Sequence, residues 1–198
     1  VVLNEFGEAY IENENDFNLV FKYHVKIKVL KKGGLDQGDF AILLRKTATR
    51  AEVIRSVTGS SFNLENGQIR ESRLDTKNLF SEDKGKYHSY RKFALPNVRV
   101  GSVIEVEYLL ESPFIQNFRS WKFQSDIPKM YSEYWALMPA NYRYDVVLRG
   151  FLPLTKNDAG LVNDCFPPGG GAKADCASLK CAMKDIPAFV EEDYMTAR

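Results

Sequence analysis

Glu105, Glu107 and Glu111 stand on one row of the stretch "GSVIEVEYLLESP", Gly101 to Pro113. Alternate side chains of a strand share a face, so Glu105 and Glu107 lie ~7 Å apart. At that separation two carboxylates can cleave a glycosidic bond. The spacing is permissive, however, since any strand with a wet face produces it, and no neighbouring apolar run supplies a pocket that would raise one pKa. The row reads as a solvated surface. The two histidines add no partner: His24 sits among Lys22, Lys26 and Lys28 on a polar row, and His88 stands between Tyr87 and Ser89. Neither has metal-ligand spacing to a cysteine, a carboxylate or the other histidine. "VTGSSF" lacks the G-x-S-x-G elbow of a serine hydrolase.

Cys165, Cys176 and Cys181 all fall in the last fifth of the chain. Without a C-x-x-C knuckle or a nearby histidine they make a poor zinc site. If Val162 to Phe166 and Cys176 to Met183 are the arms of a hairpin, Cys165 and Cys176 could face each other and staple the "FPPGGGAKAD" tip. Cys181 would then be unpaired and buried. A thiol enzyme also needs a base and an orienting carboxylate beside the sulfur, and both histidines lie far from this region. The sequence therefore assigns no catalytic residue and calls for no metal or cofactor.

The aromatics of "WKFQSDIPKMYSEYWALMP" are candidates for contact rather than chemistry, because exposed rings can form a sugar platform or a docking surface. Alternation divides this strand into Tyr131, Glu133, Trp135 and Leu137 against Ser132, Tyr134, Ala136 and Met138. One row must be inner. The tryptophans read as core, and Tyr134 is the preferred surface residue, with Tyr131 and Trp135 as further contact candidates.

These residues must be positioned by strands. "FNLVFKYHVKIKVL", Phe17 to Leu30, alternates apolar and polar residues over a long half-buried strand. The glycines of "KKGGLDQGD" then predict a hairpin into "FAILL". "VVLNEFGEAYIENEND" reads as a strand pair around Gly7. "TATRAEVIRSVTGSSF", Thr47 to Phe62, fits a short helix or a strand, and its β-branched residues favour the strand. Asn66-Gly67 in "NLENGQIRESRL" is the strongest hairpin signal. "YHSYRKFALP", "FRSWKFQSDIP", "MYSEYWALMP" and "RYDVVLRGFLPL" are extended runs closed by proline or glycine. No helix of ten or more residues is evident. Short strands separated by turns predict an all-β fold, a large antiparallel β-sandwich of two packed sheets with little or no helix. Residues 1–186 would form it, with a glycine-, proline- and cysteine-rich insert at 163–181 as an exposed loop or hairpin tip. Residues 187–198 would be an exit segment.

The chain has 198 residues, with 27 lysines and arginines against 26 acids. That size can bury a core without a metal or a disulfide. The near-neutral balance gives no electrostatic footprint for nucleic acid, and no apolar run approaches the ~20 residues of a membrane helix. With no leader ahead of "VVLNEFGEAY", the chain reads as a soluble fragment.

The order of motifs resembles a family. "HVKIKVLKKGG", "NGQIRESRLDTKNLF", "KFALPNVRVGSVIEVEYLLESP", "WKFQSDIPKMYSEYWALMP" and "DIPAFVEEDYMTAR" together resemble a bacterial domain of unknown function. That domain precedes transglutaminase-like, predicted cysteine-protease domains in exported proteins. The most specific pieces are "ALPNVRVGSVIEVEY", "FQSDIP" with "YSEY" after it, and the closing Ile186, Pro187, Ala188, Glu192, Tyr194 and Met195. The resemblance implies an all-β N-terminal domain of a periplasmic, envelope or secreted protein, whose next domain would supply the cysteine, histidine and aspartate. The "CFPPGGGAKADCASLKC" insert departs from the family pattern. The expected function is a non-catalytic accessory domain that docks on, or positions substrate for, a downstream hydrolase. A stand-alone glycan- or protein-binding module is the alternative.

Overall fold

The structure, a computed structural model, describes residues 1–12, 17–169 and 172–190. Within them run β1 (Val2–Glu12), β2 (Asn18–Lys28), β3 (Asp39–Arg45), β4 (Val53–Glu65), β5 (Gln68–Arg73), β6 (Phe80–Asp83), β7 (His88–Ala94), β8 (Val103–Ser112), β9 (Lys129–Pro139), β10 (Lys156–Gly169) and β11 (Ala172–Ile186). The only helical elements among the described residues are 3-10 turns at Lys32–Gly38 and Thr76–Asn78. An eight-stranded sheet, in the order β10-β11-β9-β1-β2-β8-β4-β5, packs against a three-stranded sheet, β3-β7-β6. The fold is an all-β sandwich. No helix among the described residues is long and apolar enough to cross a membrane.

Alternation explains the core. Leu19, Phe21, Val25 and Ile27 of β2 and Ile104, Val106, Tyr108 and Leu110 of β8 are buried; across the two strands Phe21 pairs with Leu110, Val25 with Val106 and Ile27 with Ile104, while Tyr108 lies opposite Tyr23. Ile42, Leu44 and Phe93 of the small sheet and Leu95 just beyond it close over them. Asn66 and Gly67 take positive φ values of 49° and 78°, the geometry that a two-residue hairpin turn requires between β4 and β5.

Several expectations change. The sheet is antiparallel except at β1 and β9, which pair in parallel. "VVLNEFGEAYIE" is one strand, not a pair: β1 runs straight through Gly7, whose missing side chain makes room for Trp121. Nor do β2 and β3 form a hairpin. Both edges of β2 are occupied, by β1 and β8, so the chain turns through Lys32–Gly38 and β3 pairs with β7 in the opposite sheet. The extended runs around Trp121 and Val146 carry no strand. Their apolar side chains, among them Phe118, Trp121, Phe123 and Tyr144, instead pack on the inner side of the large sheet.

Of the two readings of the insert, loop or hairpin tip, its described residues take the second. It forms the ends of the β10–β11 hairpin, where Phe166 is buried against Phe17, ring centroids 5.6 Å apart. Cys165 and Cys176 are joined by a disulfide there, and Cys181 is free and buried. Residues 187–190 carry no strand, and Phe189 N–H donates to Ser125 O at 2.7 Å. The remainder of the expected exit segment, with Glu192, Tyr194 and Met195, lies outside the described residues.

A Cβ at Gly7 would fall 2.3 Å from Cζ3 of Trp121, so the ring or the strand would have to move. Gly7→Ala is expected to lower stability by about 1–3 kcal/mol. Gly160→Ala, where an added Cβ meets nothing within 4 Å, serves as the neutral control. Urea unfolding followed by tryptophan fluorescence measures both.

Candidate functional site

A cleft of about 610 Å³ opens between the two sheets. Its floor is the inner face of the large sheet, where Tyr23 and Tyr108 stack with centroids 5.0 Å apart. One wall is the irregular segment from Phe118 to Ile127, and the other includes Phe40, Leu43, Arg45 and His88. Trp121 stacks on Tyr134, centroids 5.4 Å apart, and forms an edge contact with Phe21. The segment that brings Trp121 here is thus held by aromatic packing rather than by a strand ladder.

Two buried charge networks flank the floor. Glu5 Oε2 accepts from Lys129 Nζ at 2.6 Å and from Ser132 Oγ at 2.8 Å, while Glu5 Oε1 accepts from Tyr23 Oη at 2.9 Å. Lys129 also donates to Lys122 O, and Trp121 Nε1 donates to Ser132 Oγ. In the second network the carboxylate of Glu52, wholly buried, accepts from Arg45 Nε, Arg45 N–H, Ser112 Oγ and Arg119. Arg119 reaches on to Leu43 O at 2.8 Å, and its buried Nε has no partner among the described residues. Buried charges are tolerated only when paired and hydrogen-bonded, and here that requirement ties both walls to the floor.

Burial pushes the Tyr23 phenol well above its ordinary pKa, with the Glu5 carboxylate adding to the shift. Tyr108 is pushed up to about 12, chiefly by burial; Arg119 opposes the shift and Glu5 and Glu52 add to it. Burial also raises Tyr134.

The residues singled out in the sequence fall elsewhere. Glu105 and Glu107 lie on the outer face beside a hollow of about 390 Å³. Burial alone would raise Glu105, but hydrogen bonds from His24 and Lys26 outweigh it and hold the carboxyl below its usual range. An acid catalyst needs the opposite shift. His24 Nε2 donates to Glu105 Oε1 at 2.7 Å, and His88 lines the cleft. The free thiol of Cys181 is pushed up by burial, with Asp158 adding to it, whereas a nucleophilic thiol must be pushed down. Among the described residues no three histidine, cysteine or carboxylate side chains are grouped to hold a metal.

Tyr134, expected at the surface, is buried. Its row, with Ser132 and Ala136, faces Trp121 and the core, so the other row of β9 is the outer one. Trp135, read as core though also named as a contact candidate, stands on that outer row with Tyr131. Its indole N–H donates to Glu133 at 2.8 Å, Lys180 Nζ lies 4.2 Å from the ring centroid, and Phe6 packs edge-on. Tyr131 Oη also donates to Glu133. Trp135 and Trp121 therefore lie on opposite faces of the sheet and form no joint platform. Sequence reasoning missed Glu5, Glu52, Arg119 and Lys129. The available signal was Glu5 itself, a carboxylate on the buried row of β1 between Val2 and Ala9.

No protein-family model matches the sequence, and no curated protein matches it. Among solved structures, the chain is similar to a protein from Parabacteroides distasonis described as a "putative protease". The TM-score is 0.62 at 9% identity, over 100% of this chain and 37% of that one. The likeness is one of fold, and this chain corresponds to little more than a third of that protein's length.

Removing one partner of a buried ion pair strands the other charge, so Lys129→Met is expected to cost about 3–5 kcal/mol. The double variant Glu5→Gln/Lys129→Met is expected to recover part of that loss in a urea-unfolding cycle. The raised phenols set the alkaline limit: folding favours their neutral forms, so their contribution is full below pH ~10 and is lost as pH rises toward the value of about 12 at Tyr108. Phenolate absorbance should show Tyr23, Tyr108 and Tyr134 ionising together with unfolding, after the exposed tyrosines have titrated.

Proposed function

We propose that this chain is a non-catalytic accessory domain of a transglutaminase-like cysteine hydrolase, docking on the catalytic domain or positioning substrate for it. The observation that carries the reading is the match in fold, over the entire chain, to just 37% of a longer protein described as a putative protease. In that arrangement the remaining length would hold the catalytic machinery. The chemistry of the candidate groups supports it: Glu105 is shifted away from acid catalysis and the Cys181 thiol away from nucleophilic attack. The disulfide between Cys165 and Cys176 supports an exported, periplasmic or envelope setting, since such bonds persist in oxidising compartments. A glycan platform draws less support, because Trp135 is covered by Lys180 and Glu133 and Trp121 lies on the opposite face.

The test compares three proteins: the isolated 198-residue chain, the product of the complete reading frame, and that product lacking residues 1–190. The isolated chain is expected to hydrolyse neither casein nor a small activated amide. Deletion is expected to lower kcat/KM on casein at least tenfold while sparing the small amide. Hydrolysis by the isolated chain, or a complete reading frame with no hydrolase domain, would overturn the proposal.

A further inference from the structure

β3 is an edge strand of the small sheet, and its free edge borders the cleft. Lys46 N–H donates to Tyr87 O and Leu95 N–H to Gly38 O, and the register runs unbroken between them. In an antiparallel ladder these bonds alternate, so the even-numbered residues of β3 turn their backbone groups to β7. Those of Asp39, Ala41, Leu43 and Arg45 face the other way. Part of that edge is capped: Asp39 N–H closes on Asp36 O, Leu43 O accepts from Arg119, and both backbone groups of Arg45 are taken by Glu52. Among the described residues, Asp39 C=O, both groups of Ala41 and Leu43 N–H have no such partner. That is the pattern one extended segment of three or four residues would satisfy.

The cleft lining holds four acids and four bases, but its unpaired groups are mostly acids. Its Arg45, Arg119 and Lys129 are committed to Glu52 and Glu5. Asp36, Asp39 and Asp126 line the same cleft, and among the described residues none of the three has an ion-pair partner, nor has Lys122 beside them. A strand added to β3 would send alternate side chains toward the aromatic floor of Phe21, Tyr23, Tyr108 and Trp121, with the carboxylates beside it.

We propose that this cleft binds an extended peptide segment bearing basic side chains, by strand addition to the open edge of β3. Main-chain bonds would supply affinity and the unpaired carboxylates of Asp36, Asp39 and Asp126 would supply selectivity, as in other recognition by added strands. The inference rests on the accessory reading only in naming what such a domain would hold.

The probe is a fluorescein-labelled octapeptide of alternating lysine and valine, titrated with the folded chain by fluorescence polarisation. Saturable binding is expected. Replacing its lysines by glutamate, or methylating alternate amide nitrogens, is expected to weaken binding at least tenfold. Ala41→Pro, which removes an edge N–H where proline is tolerated, is expected to do the same with an unchanged circular dichroism spectrum. Asp39→Asn/Asp126→Asn is expected to weaken the lysine peptide severalfold. Equal binding of the glutamate or methylated peptide, no binding up to millimolar protein, or a dimer formed through β3 that excludes the peptide would each overturn the proposal. The methylated peptide keeps the test decisive if Ala41→Pro fails to fold, and peptide failure leaves the hydrolysis comparison of the accessory reading unaffected.

Discussion

The carboxylate of Glu5 is where four parts of the molecule meet. It projects from β1 into the sandwich, and its bonds to Tyr23, Ser132 and Lys129 draw on β2 and β9. Through Ser132 and Lys129 it also reaches Trp121 and Lys122. A lone buried carboxylate would cost several kcal/mol, so the register that places Glu5 opposite Ser132 is the one that satisfies it. A slip of one residue would turn the whole buried row of β1 to solvent. The parallel pairing of β1 with β9, unusual in this otherwise antiparallel sheet, is thereby fixed by charge as well as by hydrogen bonding.

The same constraint explains why an irregular segment can cover the floor of the sandwich. Residues 114–128 have no ladder to satisfy their backbone, yet buried N–H and C=O groups need partners. Lysine and arginine side chains supply them: Lys129 bonds Lys122 O and Arg45 bonds Asn117 O. Aromatic packing does the rest, with Trp121 fitting over Gly7 where a side chain would collide. The cleft is the space left between this segment and the free edge of β3 beyond the bonds of Arg119 to Leu43 O and Arg45 to Asn117 O.

Much of the architecture was legible because period-two alternation reports local burial. β2, β8 and β9 were evident, as was the Asn66-Gly67 turn. Partner choice was not legible where it depends on distant residues. Gly7 looked like a turn because the need for a glycine came from Trp121, far along the chain. β3 looked like a hairpin partner because no local signal shows that β1 and β8 already occupy β2. In β9 alternation identified two rows but could not orient them: the inner row carries Ser132 and the outer carries Trp135, against simple hydropathy. Hydrogen bonds to Glu5 and Glu133 reverse that expectation. Glu5 with Lys129 and Glu52 with Arg119 are likewise pairs that only the folded chain brings together.

Open strand edges invite pairing with other chains, and proteins usually blunt them. β6 is only four residues long, β5 carries Arg70, Glu71 and Arg73 along an exposed strand, and β10 is broken by register shifts between Val162 and Gly169. β3 shows a different treatment. Its ends are capped by Asp36, Arg119 and Glu52, whereas the middle, around Ala41, stays unpaired beside a polar-rimmed, aromatic-floored cleft. Protection that stops short of the middle leaves room for one short added strand, and the unpaired carboxylates of Asp36, Asp39 and Asp126 beside it would select its side chains.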